Sequence, residues 1–247
     1  MSTQDQRTAV VTGGGTGLGR GITRALAADG YRVAVVGRRQ EVLDVVAEET
    51  GAHVVVADLT DPAQVERAAG EIVAALGAPV DALVLNAGGS DRRPVETLAE
   101  LAEHWSRTVS QNVLSAVLLE HALRPHLRRP GGRVVAVTSA AARSGGGGVA
   151  YGSSKAAVNR WIQALASQVG SEGITANALA PGFVPDTELY DGGMDPAWTE
   201  RVARGIAVGR VGTPEDIADA VRWLVSPGAG FVNGTVLEVD GGRVVRV

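Results

Sequence analysis

The feature that most restricts this chain is a repeated alternation. Seven short runs, at 8–12 (TAVVT), 32–37 (RVAVVG), 53–58 (HVVVAD), 81–86 (DALVLN), 133–139 (RVVAVTS), 174–180 (ITANALA) and 235–242 (TVLEVDGG), are apolar nearly throughout instead of at every second position. A strand with two apolar sides must be covered on both, which is the condition of a parallel sheet held between helix layers. Between the runs lie stretches such as 19–30 (GRGITRALAADG) and 62–77 (PAQVERAAGEIVAALG), with apolar residues at helical spacing. Each ends on a glycine suited to stopping a helix. The alternation predicts an α/β fold: a doubly wound, Rossmann-type parallel sheet of about seven strands with helices on both faces.

No Pro/Ser-rich linker and no fixed-period repeat divides the 247 residues, so a single domain is expected over 1–247. One irregular region runs from Pro181 to about Arg204. Long segments of this kind in compact domains are commonly binding loops, with disorder as the competing explanation. A substrate-loop region near 183–205 is expected, made largely apolar by Phe183, Leu189, Tyr190, Met194 and Trp198.

Composition narrows the chemistry. With no cysteine, disulfides, thiol nucleophiles and thiolate metal sites are all excluded. A net charge of −4 gives no reason to expect nucleic acid or an anionic membrane as a partner. No apolar run approaches the roughly 20 residues of a spanning helix, and the start lacks a basic region followed by an apolar one. A soluble, cytoplasmic protein acting on a small molecule is expected. His53, His104, His121 and His126 lack the i, i+4 ligand pair of a helix-borne site, so no metal is expected.

Directly after the first apolar run come Gly13, Gly14, Gly15, Gly17 and Gly19, and then a helical stretch. Glycine permits a sharp turn and a close pyrophosphate, and the new helix offers N–H groups and the positive end of its dipole. The position points to dinucleotide binding; a plain strand-to-helix turn is the alternative. After the second run stand Arg38 and Arg39, where a dinucleotide fold usually carries an acidic residue for the ribose hydroxyls. A guanidinium there suits a 2′-phosphate, favouring NADP(H) over NAD(H), although two solvated loop arginines would look the same.

Tyr151 and Lys155 are one turn apart at the start of a predicted helix, with Cβ atoms roughly 5–6 Å apart on one face. A free phenol titrates near about 10, and a neighbouring ammonium favours the phenolate. Such a phenol can hand a proton to a carbonyl or take one from an alcohol. The plainer alternative is a core ring with a lysine that snorkels. Ser139 ends the fifth run, where ligands of a parallel sheet gather, and its hydroxyl could polarise the same carbonyl. Thr138 and Ser144 are competing hydroxyls. Gly145 to Gly148 would then give freedom to an active-site loop between Ser139 and Tyr151.

Taken together, Thr12-Gly13-x-x-x-Gly17-x-Gly19, Asn86-Ala87-Gly88, Ser139, Tyr151-x-x-x-Lys155 and Asn177-x-x-x-Pro181-Gly182 resemble the short-chain dehydrogenase/reductase family, in order, from about residue 7 to Gly242. The resemblance implies that Tyr151 is the general acid/base, that Lys155 tunes it and holds the nicotinamide ribose, and that Ser139 positions the substrate oxygen. It implies a water relay at Asn112, a cofactor floor at Asn86, Ala87 and Gly88, and an adenine contact at Asp58 and Leu59. Thr16 and Leu18 would join the glycines at the phosphates. Pro181, Gly182, Val184 and Thr187 would meet the nicotinamide amide. Arg38 matches the position that selects NADP in many members. Glu172 stands where acyl-carrier-protein reductases of the family tend to carry a basic residue.

The expected activity is an NADPH-dependent ketoreductase acting on a hydrophobic ketone, with a polyketide intermediate as one candidate. An NAD(P)-dependent alcohol dehydrogenase, a 3-oxoacyl thioester reductase and a non-catalytic NADPH-binding sensor or scaffold are the alternatives. Helices around Trp161 and over 112–127 pair across subunits in relatives, so a homo-oligomer, a tetramer by resemblance, is expected; a buried face within one chain explains the same pattern.

Overall fold

A computed structural model of the chain describes residues 6–77, 79–91, 93–144, 147–185 and 195–243. All seven apolar runs are strands: β1 (Thr8–Thr12), β2 (Arg32–Gly37), β3 (His53–Val56), β4 (Ala82–Leu85), β5 (Arg133–Val137), β6 (Thr175–Pro181) and β7 (Val236–Val239). They form one sheet in the order β3-β2-β1-β4-β5-β6-β7, and every pairing is parallel. The register sets Thr8 against Arg32 and Val10 against Leu83. The chain starts mid-sheet, moves to one edge, then returns to place β4 on the other side of β1.

The helices are α1 (Gly17–Ala28), α2 (Gln40–Thr50), α3 (Pro62–Leu76), α4 (Leu98–Val109), α5 (Ser115–Leu123), α6 (Ala141–Ser144), α7 (Val149–Val169), α8 (Pro196–Arg204) and α9 (Pro214–Leu224). Alternate residues of β1 show how the layers divide. Val10 joins the core made with Val65 and Ile72 of α3, Leu119 of α5 and Ile162 of α7. Ala9 and Val11 join the other, with Ile22 and Leu26 of α1 and Ile217 and Val221 of α9. Two-sided burial is thus the reason these strands lack a polar face. Gly77 caps α3 at a φ of +69°, and Gly30, one residue past the cap of α1, holds +82°, both conformations that L side chains rarely adopt.

Between α4 and α5 the ladder widens into one π-helical turn, Ser110–Leu114, a form concentrated at functional sites. Two arginines that follow the short helical turn at 124–126, Arg128 and Arg129, divide their roles. Arg128 pairs with Asp81 at the foot of β4, while Arg129 donates to the helix-end carbonyls of Arg124 and Leu127 and pairs with Glu172.

Candidate active site

In a doubly wound sheet the crevice opens where neighbouring strands lead to opposite sides, here between β1 and β4. A cleft of about 700 Å³ has Gly13, Gly15, Thr16, Gly17, Leu18 and Gly19 in its wall, with Arg38 and Arg39 after β2 and Asp58 and Leu59 after β3. Asn86, Ala87 and Gly88 after β4 and Tyr151 and Lys155 of α7 complete the expected residues found there.

The glycines of the first turn serve different ends. Gly13 and Gly17 hold φ of +63° and +46°. At Gly19 the constraint is space: a Cβ would run into the carbonyl oxygen of Gly13 and lie 2.7 Å from Asn86 Nδ2. The start of α1 is therefore pressed against the end of β1. Its N-cap, Thr16, makes no capping side-chain hydrogen bond, so the orphan N–H groups of the first turn stand beside the cleft without a side-chain cap. The turn is braced from β4. Thr12 Oγ1 accepts from the backbone N–H groups of Asn86 (2.9 Å) and Ala87 (2.8 Å), and Asn86 Nδ2 donates to the Thr12 carbonyl at 3.0 Å.

Arg38 and Arg39 are exposed at the cleft edge. Among the described residues no carboxylate pairs with Arg38, so its guanidinium is available to an anion. Asp58 is tied into its own turn: Oδ1 accepts from the Thr60 N–H at 2.9 Å and hydroxyl at 2.8 Å.

Helix α7 begins at Val149, two residues before the predicted start at Tyr151. Gly147 and Gly148 turn into it with φ of +75° and +90°, and a Cβ on Gly147 would lie 2.9 Å from Tyr151 Cδ1. These two glycines therefore fit a tight turn against the phenol ring; Gly145 and Gly146 lie outside the described residues. Tyr151 is 8% exposed and Lys155 4%. Lys155 Nζ stands 5.9 Å from the ring centroid and donates to the Val137 carbonyl at 3.1 Å. Burial in this wall pulls the ammonium down to a pKa of about 8, so it remains mostly charged at neutrality.

The π-helical turn carries Asn112, which is buried. Its Oδ1 accepts from the Gly89 N–H and its Nδ2 donates to the Gly89 carbonyl, both at 2.9 Å. Nδ2 also donates to Ser154 Oγ at 3.1 Å. The three hydroxyls that compete on sequence are separated by their surroundings. Thr138 reaches the cleft wall, but its hydroxyl donates to the Leu179 carbonyl of β6 at 3.2 Å. Ser139, one residue on and not part of that wall, accepts from the Ala141 N–H at 3.1 Å, a bond that does not use its hydroxyl proton. Ser144 is exposed on α6.

Pro181, Gly182 and Val184 sit at the carboxyl end of β6 but outside the cleft wall, with Gly182 closing on Asp240. Phe183 is buried edge-on against Trp198 at 4.9 Å between centroids. Thr187, Leu189, Tyr190 and Met194 lie outside the described residues, as does Arg92. The loop after Gly89 is clamped at Asp91, which accepts from Arg93 (2.8 Å) and from Arg107 of α4 (2.8 Å), and these guanidinium groups hold its carboxyl well below the usual range. Sequence reasoning also missed Gln111 and Ser115 of the π-helical region and Val42 of α2, all in the cleft wall. Their positions depend on backbone geometry that no local motif announces.

Residues 13–243 match the profile of a family described as enoyl-(acyl carrier protein) reductase. The chain is 33% identical over 255 residues to the short-chain reductase protein NovJ of Streptomyces niveus, a match covering 98% of this chain and 96% of that protein. A short chain dehydrogenase from Burkholderia cenocepacia J2315, solved in complex with NADP, superposes with a TM-score of 0.85 at 33% identity over 97% of this chain and 98% of that one. A variant of the actinorhodin polyketide ketoreductase, solved with NADPH, superposes with a TM-score of 0.86 at 30% identity over 98% and 99% of the two chains. Fold, cleft and kinship together define the class, an NADP-dependent oxidoreductase. Within that class the chain belongs to the short-chain dehydrogenase/reductase family. Among the described residues no helix is long and apolar enough to cross a membrane.

Proposed function

We propose that the protein is an NADPH-dependent ketoreductase in which Tyr151 gives the substrate carbonyl oxygen its proton. The observation that carries this reading is the buried Lys155 ammonium, anchored on the Val137 carbonyl beside the Tyr151 ring. A cation held there stabilises negative charge developing on the phenol as its proton leaves. Bound NADPH supplies the hydride. Two observations fit that cofactor to this chain: the bare backbone at Gly19, where no side chain has room, and Arg38 at the cleft edge without a carboxylate partner among the described residues.

The remaining roles follow the resemblance. Ser139, whose hydroxyl proton is left available by its bond from Ala141, orients the ketone oxygen. Lys155 also holds the nicotinamide ribose, and Asn112 anchors a water relay. Arg38 and Arg39 take the 2′-phosphate, Asp58 and Leu59 the adenine, and Asn86, Ala87 and Gly88 the floor. Pro181, Gly182, Val184 and Thr187 receive the nicotinamide amide. Catalysis is then positioning together with stabilisation of the developing alkoxide.

For the substrate we propose a hydrophobic ketone of the polyketide type, supported by the likeness to NovJ and to the actinorhodin ketoreductase and by the apolar Phe183–Trp198 contact within the 183–205 region. A 3-oxoacyl thioester is the second reading, favoured by the 33% identity to the 3-oxoacyl-[acyl-carrier-protein] reductase FabG of Chlamydia muridarum. Against it, Glu172 is ion-paired with Arg129, so neither offers an uncompensated charge to an acidic carrier protein. We further propose one cytoplasmic domain assembled as a homotetramer. Exposed Leu98, Leu101 and Leu114 along the α4–α5 region support assembly, and light scattering tests it against four times the 25.3 kDa of the chain.

The test is loss of reduced-nicotinamide absorbance with NADPH across cyclic aromatic ketones, diketones and 3-oxoacyl thioesters, with Tyr151→Phe in parallel. Reduction by the wild type and none by a variant that still binds NADPH is expected. Full activity in Tyr151→Phe overturns the mechanism, and tight NADPH binding without turnover of any ketone points to a sensor.

A further inference from the structure

We infer that Ser154 is a positioning residue for Tyr151, joining the turn after β4 to the first turn of α7 through Asn112. The inference rests on the reading of Tyr151 as proton donor. Ser154 is buried within α7, one residue before Lys155. Its hydroxyl donates to the Tyr151 carbonyl at 2.7 Å, the usual back-bond of a serine inside a helix. The unusual part is the other side of that oxygen, which accepts from Asn112 Nδ2 at 3.1 Å.

Asn112 in turn makes a two-way amide pair with Gly89, so its side chain has no freedom to follow α7 by itself. Neighbouring Gly88 is locked into the same group. A Cβ there would collide with Asn112 Oδ1 and come within 3.1 Å of Lys155 Nζ. The cleft floor, the π-helical turn and the Tyr151–Lys155 turn thus meet at one hydroxyl. Alanine would occupy Ser154's place in the helix without strain. What it cannot do is accept the second Asn112 proton while holding the Tyr151 carbonyl.

The experiment uses the full chain with NADPH and the best ketone from the panel above, comparing wild type, Ser154→Ala, Ser154→Thr and Tyr151→Phe for kcat, NADPH affinity and thermal midpoint. Ser154→Ala is expected to lose about tenfold in kcat, as a slightly misplaced acid does, while the KM for NADPH stays within about twofold. Ser154→Thr, which restores the hydroxyl, is expected to recover most of the loss. Should the extra methyl prevent folding, Ser154→Cys, close in size and a weak donor, is expected to fall between alanine and serine. Wild-type kcat in Ser154→Ala overturns the inference, as does a Thr or Cys variant no better than alanine. An inactive Tyr151→Phe beside an unaffected Ser154→Ala removes only the Ser154 role. An active Tyr151→Phe removes both readings.

Discussion

Lys155 Nζ donates to the Val137 carbonyl across 3.1 Å, tying the Tyr151–Lys155 turn of α7 to the end of β5. Its partner is a neutral dipole, and burial is what moves its pKa, to about 8. Ketone reduction that depends on this ammonium keeps its full rate below that value and declines as pH rises through it. A kcat–pH profile from pH 6 to 10 is expected to show that descending limb. A flat profile from 7 to 9 means that Lys155 charge is not used.

The same burial has a consequence for stability, with its own sign. The Lys155 pKa falls from the ordinary lysine value of 10.5 to about 8 in the fold, so between these values the unfolded chain binds more protons than the native one. Stability from this group therefore rises with pH across that window, and its cost is complete below pH 8. Lys155→Met, lacking the buried charge, is expected to be more stable than the wild type in the cofactor-free state at pH 7, by on the order of 3 kcal/mol. Denaturant melts at pH 7 and pH 10 check it: the gap must narrow at the higher pH.

Gly19→Ala tests the close approach of α1 to β1. The added Cβ meets the Gly13 carbonyl and Asn86 Nδ2, and the backbone there has no flexible side chain to move aside. NADPH affinity is expected to fall at least tenfold with a destabilisation of about 1–3 kcal/mol, read by titration and by melting. Unchanged affinity means that this turn does not hold the phosphates.

Arg38→Asp places a carboxylate where the cleft edge carries a guanidinium with no carboxylate partner among the described residues. The ratio of kcat/KM for NADPH over NADH is expected to drop by about a hundredfold or more, since a charge-assisted contact becomes a repulsion. An unaltered ratio assigns Arg38 to solvent.

Thr138 and Ser139 are adjacent and should behave differently. The Leu179 carbonyl that accepts from Thr138 Oγ1 also accepts from the Thr138 N–H at 2.7 Å, so Thr138→Val leaves that acceptor paired. A loss of about 1 kcal/mol in stability with little change in kcat is expected. Ser139→Ala should lose about a hundredfold in kcat at near-wild-type stability. The reverse pattern moves the orienting hydroxyl to Thr138.

The strands were legible because the inner ones are buried on both faces and the edge strands β3 and β7 are partly covered, which leaves a mark in composition that needs no partner to be read. Turn residues were legible for a similar reason, as at Gly77, where the backbone conformation itself demands glycine. The π-helical turn was not. LAELAEHWSRTVSQNVLSAVLLEHAL reads as one helix, and its widening accompanies contacts of Asn112 with Gly89 and Ser154, far away in sequence. The Asp91 clamp was not legible either, because a charged residue in a loop looks solvated until Arg107 is brought to it by the fold. Thr138 and Ser139 could not be told apart in the sequence because their hydrogen-bond partners, the Leu179 carbonyl and the Ala141 N–H, are set by the fold.

The π-helical turn between α4 and α5 also bears on how this segment can change in length. A regular α-helix accommodates the same run with one residue fewer and a ladder paired throughout, so for helix stability alone the extra residue is a surplus. Loops at the surface can gain or lose residues freely, but a deletion within 110–114 would tidy the helix and withdraw Asn112 from Gly89 and Ser154. If Asn112 serves the reaction as proposed, shortening here trades activity for rigidity, and chain length is constrained in a helix interior and not in a loop.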